Sequence, residues 1–395
     1  MGRRPVLLVP MNFEFATVPR IVFGPGRLKE IRAIAPPLGR RALVTCGHSV
    51  RAVERVQPLF AALTNAGMEY VALAVSGEPT LELVREGTKH ARAERCDMVI
   101  GFGGGSALDS GKAIAALLTN EGDPLDYIEV IGKGQPLANP SAPFIAIPTT
   151  AGTGSEVTRN AVLGSPERRV KVSLRSPLML PRIALVDPEL TYQLSPEITA
   201  ATGLDALTQL IEAFVSVKAN PLTDSICREG MYRVARSLRR AYESASGLPV
   251  REDWQATVTA REDMCVAAML SGMALANAAL GAAHGLSGPL GGMFEAPHGA
   301  LCAAVLPYVV EVNERAAKER LVGSPVVSRF EQVRRAVGDL RELVRALNIP
   351  PLRDHGVSRD VFPEIIEKAK ASNSMKGNPV VLEDQELREI LESAL

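Results

Sequence analysis

Five short apolar or β-branched runs mark the first half of the chain: RALVTC (41–46), EYVALAV (69–75), DMVIGFGG (97–104), PFIAIP (143–148) and RIALVD (182–187). Segments of helical spacing, such as 53–67 and 80–95, separate them. Strands that alternate with helices in this way pair in parallel through crossover connections, so the rhythm predicts βαβ units around a mainly parallel sheet. After Asp187-Pro188-Glu189 the texture changes, and from about Ser195 nearly every segment has a helical period rich in Ala, Leu, Glu and Arg. The expected architecture is an α/β N-terminal domain over 1–189 and an all-α C-terminal domain over 190–395, with the changeover near 188–192. No repeat of 20 to 50 residues interrupts either half.

Two stretches call for a membrane test. The opening MGRRPVLLVPMNFEF has an apolar run broken by Pro10, too short for a secretory core. The stretch 269–294 carries no charged residue and is long enough to cross a bilayer. It also contains Asn277, His284, Ser287 and Pro289, with glycines crowded into its second half, so it reads as a buried helix running into a tight loop. Lys plus Arg and Asp plus Glu balance at 44 each, which gives no electrostatic reason for a nucleic-acid or anionic-membrane partner. The five cysteines form no CxxC pair and are odd in number, which speaks against a disulfide framework and for a reducing, cytoplasmic setting.

The chemistry concentrates in two loops and a polar cluster. In Val99-Ile100-Gly101-Phe102-Gly103-Gly104-Gly105-Ser106-Ala107-Leu108-Asp109 a strand empties into glycines and then a helix. Glycines remove the Cβ atoms that would hold a pyrophosphate away, and a helix start presents free N–H groups and a positive dipole end to it. Ser106 and Asp109 have the spacing of a capping box. The spacing differs from GxGxxG, so a nucleotide site is expected without the standard wiring of that motif. Thr149, Thr150 and Thr153, in PTTAGTGSEVT (148–158), follow the next strand and offer hydroxyls and amides to ribose or carboxamide groups. In the helical half, Asp205 and Gln209 lie four apart on one helical face, and His284 and His298 sit 14 residues apart in apolar surroundings. Such a set can converge on a divalent cation, although a histidine among apolar residues is more often a satisfied core residue.

With these residues in view, the chain resembles the iron-containing, or group III, alcohol dehydrogenases, relatives of glycerol dehydrogenase and dehydroquinate synthase. The resemblance runs through FGPG (23–26), GGGSALDSGKAIA (103–115), PTTAGTGSEVT (148–158), Lys171, DPELT (187–191), GLDALTQLIEAFVS (203–216), AAHGLSGPLGGMFEAPHG (282–299) and LPYV (306–309). It implies a dehydroquinate synthase-like fold, with Gly104, Gly105, Ser106 and Asp109 holding a pyrophosphate. It places Thr149, Thr150, Thr153 and Lys171 around the ribose and nicotinamide. It further implies a metal, iron or zinc, at Asp205, position 209, His284 and His298, and a homo-oligomer joined through N-terminal strands.

The chain departs from the family pattern twice. Gln209 replaces a histidine ligand, and an amide oxygen is a weaker and harder donor, which lowers affinity for Fe²⁺ or Zn²⁺. Gly288 stands where many members carry a histidine thought to relay a proton. At the end of the strand 41–46, members that prefer NAD tend to carry an acidic residue, whereas Thr45-Cys46-Gly47-His48-Ser49 has none. Gly47 and Ser49 can receive a 2′-phosphate, which favours NADP(H) over NAD(H). The expected activity is reversible aldehyde or ketone reduction, with the substrate oxygen on a cation held by Asp205, His284, His298 and weakly Gln209. The alternatives are a metal-free enzyme resembling maleylacetate reductases, with His284 or His298 as the acid, and a non-catalytic nucleotide-binding descendant. A dehydroquinate synthase-like cyclisation fits poorly, because no Lys or Arg flanks Asp205, His284 or His298.

Overall fold

The computed structural model describes residues 12–245 and 254–395, and the apolar run ahead of Pro10 lies outside the described residues. Among the described residues eight strands form, β1 (Ile21–Phe23), β2 (Arg41–Gly47), β3 (Glu69–Val75), β4 (Met98–Gly103), β5 (Phe144–Pro148), β6 (Asn160–Ser165), β7 (Val170–Arg175) and β8 (Ile183–Val186). Six build one sheet in the order β1-β8-β5-β4-β2-β3, and every pairing in it is parallel. Strands β4 and β5 are buried at every position, as strands covered on both faces must be. The helices α1 (Ile31–Ile34) and α2 (Val50–Asn65) pack on one face against Ile100, Phe102, Ile145 and Leu185. On the other face α3 (Leu81–Ala93) and α4 (Gly105–Thr119) cover Leu43, Val99, Phe144 and Ala146. β6 and β7 form a separate antiparallel hairpin, which the sequence pattern had not marked.

The sheet order positions the site. From β2 the chain crosses outward to β3, and from β4 it crosses the other way to β5, so the carboxyl ends of β2 and β4 flank a topological switch point. Ligands of open α/β sheets bind in that crevice. Gly47 ends β2 and Gly103 ends β4 beside it, and a Cβ on Gly103 would lie 3.9 Å from the Gly47 amide.

A short helix α5 (Pro124–Tyr127) precedes β5, and after β8 the chain is helical. Helices α6 (Pro196–Val215), α7 (Pro221–Ala245), α8 (Trp254–Ala278), α9 (Ala282–Met293), α10 (His298–Arg320), α11 (Pro325–Val337), α12 (Leu340–Ala346), α13 (Phe362–Ala371) and α14 (Asp384–Ala394) share one apolar core. Helix α6 starts on Ser195, whose side chain accepts from the Ile198 amide, with Pro196 in the first turn where a missing N–H costs nothing. It is apolar and long enough to cross a membrane, but 89% of its apolar stretch is buried, and α7, α8 and α10 pack around it. A core helix of the fold accounts for it.

The uncharged stretch 269–294 corrects the expectation of a tight loop. It is two helices, α8 and α9, bent by 101° at the break 279–281. Two of its glycines serve close packing rather than turns. A Cβ on Gly285 would meet Met375 at 2.9 Å, and one on Gly292 would meet the Arg169 carbonyl of the β6–β7 hairpin at 2.9 Å.

Candidate functional site

The glycine turn and the threonine loop lie against each other. The Thr149 amide donates to the Gly103 carbonyl at 2.9 Å, joining the two strand ends. A Cβ on Gly104 would stand 3.3 Å from Thr150 Oγ1, and one on Gly105 would stand 2.8 Å from Thr153 Cγ2. Only glycine lets the start of α4 come this near the threonines while leaving its first amides open. The capping box expected of Ser106 and Asp109 does not form, because Gly104 is the N-cap and makes no side-chain cap bond. Ser106 is inside the first turn, and Asp109 turns to the neighbouring loop, accepting from Ser155 Oγ at 2.5 Å and from the Val162 amide at 2.9 Å.

Lys112, one turn on, is fully buried. Its Nζ donates to the carbonyls of Ser155 and Asn160 and to the hydroxyls of Ser155 and Thr158, all within 2.7–2.9 Å. Burial pulls its pKa down, and those acceptors show why the cation is kept inside. Asp109 and Lys112 thus pin the threonine loop to α4. The far side of that loop presses on the helical half. Gly154 has φ +62°, and a Cβ there would fall 2.4 Å from Gly272 of α8, while one on Gly152 would fall 2.5 Å from Thr202 of α6. Lys171, on β7, places Nζ 3.2 Å from Glu78 Oε1 and against Gly291, two turns along α9 from His284. Gly47 packs on Ala52, and Ser49 caps α2 by accepting from the Ala52 amide.

The helical half brings Asp205 of α6, His284 of α9 and Cys302 of α10, all buried, together with the partly exposed His298 of α10, with donor atoms all within 4.8 Å of one another. Asp205 Oδ1 and His284 Nε2 are 3.4 Å apart, and neither has a hydrogen-bond partner. Two further residues, not foreseen in the sequence, complete the cluster. Glu212 accepts from His284 Nδ1 and from the Ala283 amide, both at 2.6 Å, which fixes the ring and aims Nε2 inward. A carboxylate behind a histidine is the usual support of a metal ligand. Cys302, one turn after His298, puts Sγ 3.6 Å from His298 Nε2. Spacing offered a clue in each case, since 205, 209 and 212 share one face of α6, and 298 and 302 one face of α10. Gln209 donates from Nε2 to Asp205 Oδ2 at 3.2 Å, and its carbonyl accepts from Ser271 Oγ at 2.7 Å. Ser271 Oγ also lies 3.4 Å from the Gly152 carbonyl, which sets the threonine loop beside the Gln209–Asp205 pair.

These groups shift one another's charge. Burial pulls both histidines down, but the facing Cys302 and the nearby carboxylates more than offset it, and His284 ends well above its ordinary value. Burial would raise Asp205, yet the two imidazoles bring it below the usual carboxylate range. Cys302, pushed up by burial, is drawn down to about 7 by the same rings. Asp205 thus favours a positive charge on His284 at 3.4 Å, and a divalent cation in place of that proton satisfies the carboxylate and the neutral imidazole together.

Family models settle what this arrangement belongs to. The iron-containing alcohol dehydrogenase model matches residues 19–188, and the C-terminal model of the same family matches 199–395. The chain belongs to the iron-containing alcohol dehydrogenase family. It is 35% identical over 385 residues to the 1,3-propanediol dehydrogenase of Klebsiella pneumoniae, covering 94% of this chain and 96% of that one. The crystal structure of a 1,3-propanediol oxidoreductase superposes with a TM-score of 0.86 at 33% identity, covering 97% of this chain and all of the other. The sulfoacetaldehyde reductase of Bifidobacterium kashiwanohense, solved in complex with NAD⁺, gives 0.82 at 28% identity, over 97% and 98% of the two chains. Both halves of the chain, the parallel-sheet layer and the helical layer, are therefore those of an iron-containing alcohol dehydrogenase.

Proposed function

We propose that the chain interconverts a small alcohol and its aldehyde or ketone, by hydride exchange with a nicotinamide dinucleotide in a cation-assisted site. The observation that carries this reading is the buried pair of Asp205 Oδ1 and His284 Nε2, without partners beyond each other and close to the threonine loop across Gln209 and Ser271. A site with open donors on one wall and a glycine-lined nucleotide turn on the other suits a reaction that moves a hydride and leaves charge on oxygen.

The amides of Gly104, Gly105 and Ser106 receive the pyrophosphate at the start of α4. Asp109 acts by holding Ser155 and Val162, so it shapes the turn from behind. Thr149, Thr150, Thr153 and Lys171 surround the ribose and nicotinamide end. Asp205, His284 and His298 would hold the cation, Glu212 orients His284, and Gln209 steadies Asp205 rather than facing inward. When bound, the cation supplies Lewis-acid stabilisation of the substrate oxygen, and the dinucleotide supplies or accepts the hydride. Gly288 has nothing within 4 Å of where a Cβ would stand, so space remains for water to carry the alcohol proton.

The reading extends to NADP(H) over NAD(H). Segment 45–49 carries no carboxylate, and Arg51 stands exposed on the first turn of α2 with Arg55 a turn further on. It extends also to a cytoplasmic homo-oligomer, since the outer edge of β1 is unpaired among the described residues and all five cysteines are free. The reading divides the chain into units 1–189 and 190–395, a division that falls between the end of β8 and the start of α6.

Purified protein assayed with short aldehydes is expected to oxidise NADPH, and more slowly NADH at equal low concentration. A chelator should abolish turnover, and added Zn²⁺ or Fe²⁺ should restore it. Turnover with far less than one metal per chain, unmoved by chelator, would overturn the cation; faster turnover with NADH would overturn the cofactor preference.

A further inference from the structure

We infer that Cys302 is the fourth ligand of the cation site, so that this chain uses an Asp205–His284–His298–Cys302 set in which α10 supplies the donor that α6 lacks. The inference rests on the cation-assisted reading above. Three features of the cluster point to it.

The first is geometric. In a tetrahedral zinc site with bonds of about 2.0 Å to nitrogen or oxygen and about 2.3 Å to sulfur, two ligand atoms lie about 3.3 Å apart, or about 3.6 Å where one is sulfur. Asp205 Oδ1 and His284 Nε2 are 3.4 Å apart, and Cys302 Sγ and His298 Nε2 are 3.6 Å apart. The second is that Asp205 is 2% and His284 7% exposed, and Oδ1 and Nε2 have no other partner, so they are aimed into the same space as Sγ. The third is that Gln209 is engaged elsewhere. Its carbonyl faces Ser271 and its amide faces Asp205, which leaves the position four residues after Asp205 without a free donor toward the cluster.

His298 and Cys302 are one turn apart on α10, and both side chains reach the cluster from the same helix face. On binding, the Cys302 S–H bond breaks, the sulfur pair forms the bond to the cation, and one proton leaves to solvent. Asp205 and the thiolate then balance a divalent charge. A thiolate favours zinc or cobalt over magnesium or manganese.

The test is substitution with Co²⁺, whose thiolate complexes absorb in the near ultraviolet by sulfur-to-metal charge transfer. Apo protein titrated with Co²⁺ should take up one ion per chain with that band. Cys302→Ser and Cys302→Ala should lose the band and bind Zn²⁺ at least about ten-fold more weakly, with circular dichroism unchanged. Gln209→His combined with Cys302→Ala should recover affinity without recovering the band. One Co²⁺ per chain with no charge-transfer band, or Cys302→Ala with unchanged affinity, overturns the role of Cys302 and leaves the cation site standing. No bound ion in any variant overturns the site and this inference together. Should both cysteine variants be misfolded, the band in the wild-type protein decides alone.

Discussion

Glu212 shows how one residue sets the site. Its carboxylate bridges the His284 ring and the first amide turn of α9, so replacing it with Gln removes the anion that fixes the imidazole tautomer. Outer partners of this kind are worth about 10- to 100-fold in metal affinity. Glu212→Gln is expected to retain its fold and lose Zn²⁺ affinity within that range, read by competition with a colorimetric chelator; unchanged affinity would show that His284 is oriented by packing alone. Glu156 gives a second prediction at this scale. Burial raises its pKa from 4.5 to about 7, against a smaller opposing pull from Lys112. A carboxyl whose folded pKa is raised contributes stability below its unfolded value, and loses it as pH rises from about 4.5 to 7. Glu156→Gln should therefore raise the melting temperature at pH 8, by the equivalent of about 1–3 kcal/mol at roughly 1.4 kcal/mol per pKa unit, and change it little near pH 4.5. A variant less stable than wild type at pH 8 would mean that the carboxylate pairs with Lys112 there.

Among the elements, helix α9 and the start of α10 carry glycines of opposite meaning. A Cβ on Gly299 would stand 2.3 Å from the Ala201 carbonyl and 3.2 Å from Asp205 Cβ, so Gly299→Ala must push α10 away from α6. The expected cost is about 1–3 kcal/mol, with weakened metal binding because His298 moves off Asp205. Gly288 meets nothing within 4 Å beyond its chain neighbours, but it precedes Pro289 within α9, where a Cβ crowds the proline ring and offsets the gain in helix propensity, so Gly288→Ala should change stability by less than about 1 kcal/mol. Thermal melts should show Gly299→Ala clearly the less stable of the two variants; a Gly299→Ala melt no lower than that of Gly288→Ala would mean that α10 does not press on α6 at Gly299. The same elements show how far the sequence could be read. The four inner strands β2, β4, β5 and β8 were legible because apolar runs buried on both faces leave a continuous trace, and the half-exposed edge strand β3 because its run EYVALAV is almost wholly apolar. The three-residue β1 was too short to stand out, and the hairpin β6–β7 was passed over although VKVSLR alternates apolar and polar positions as a strand with one wet face does. The glycine-rich second half of 269–294 was misread as a loop, since glycine marks close packing as well as turns, and only the neighbouring Met375 and Arg169 tell the two apart.

For the whole molecule, the two halves meet at the threonine loop, which α4 grips through Asp109 and Lys112 and which α6 and α8 receive at Gly152 and Gly154. The loops were visible in the sequence as glycine and hydroxyl clusters at strand ends. Their joint was not, because it depends on contacts between residues more than 40 positions apart, such as Lys112 with Thr158 and Gly154 with Gly272. In the same way Asp205, His284 and His298 stood out individually, whereas the approach of Cys302 and the engagement of Gln209 by Ser271 exist only after folding. The proposed reaction requires one cation and one dinucleotide on the two sides of this joint. Crystals grown with NADPH and Zn²⁺, measured at the zinc edge, decide whether they bind there. One anomalous peak is expected within bonding distance of Asp205, His284 and His298, with the pyrophosphate on the amides of Gly104 and Gly105 and the nicotinamide toward that peak. An anomalous peak elsewhere, or a dinucleotide bound away from the turn at 103–105, would contradict the proposed reaction.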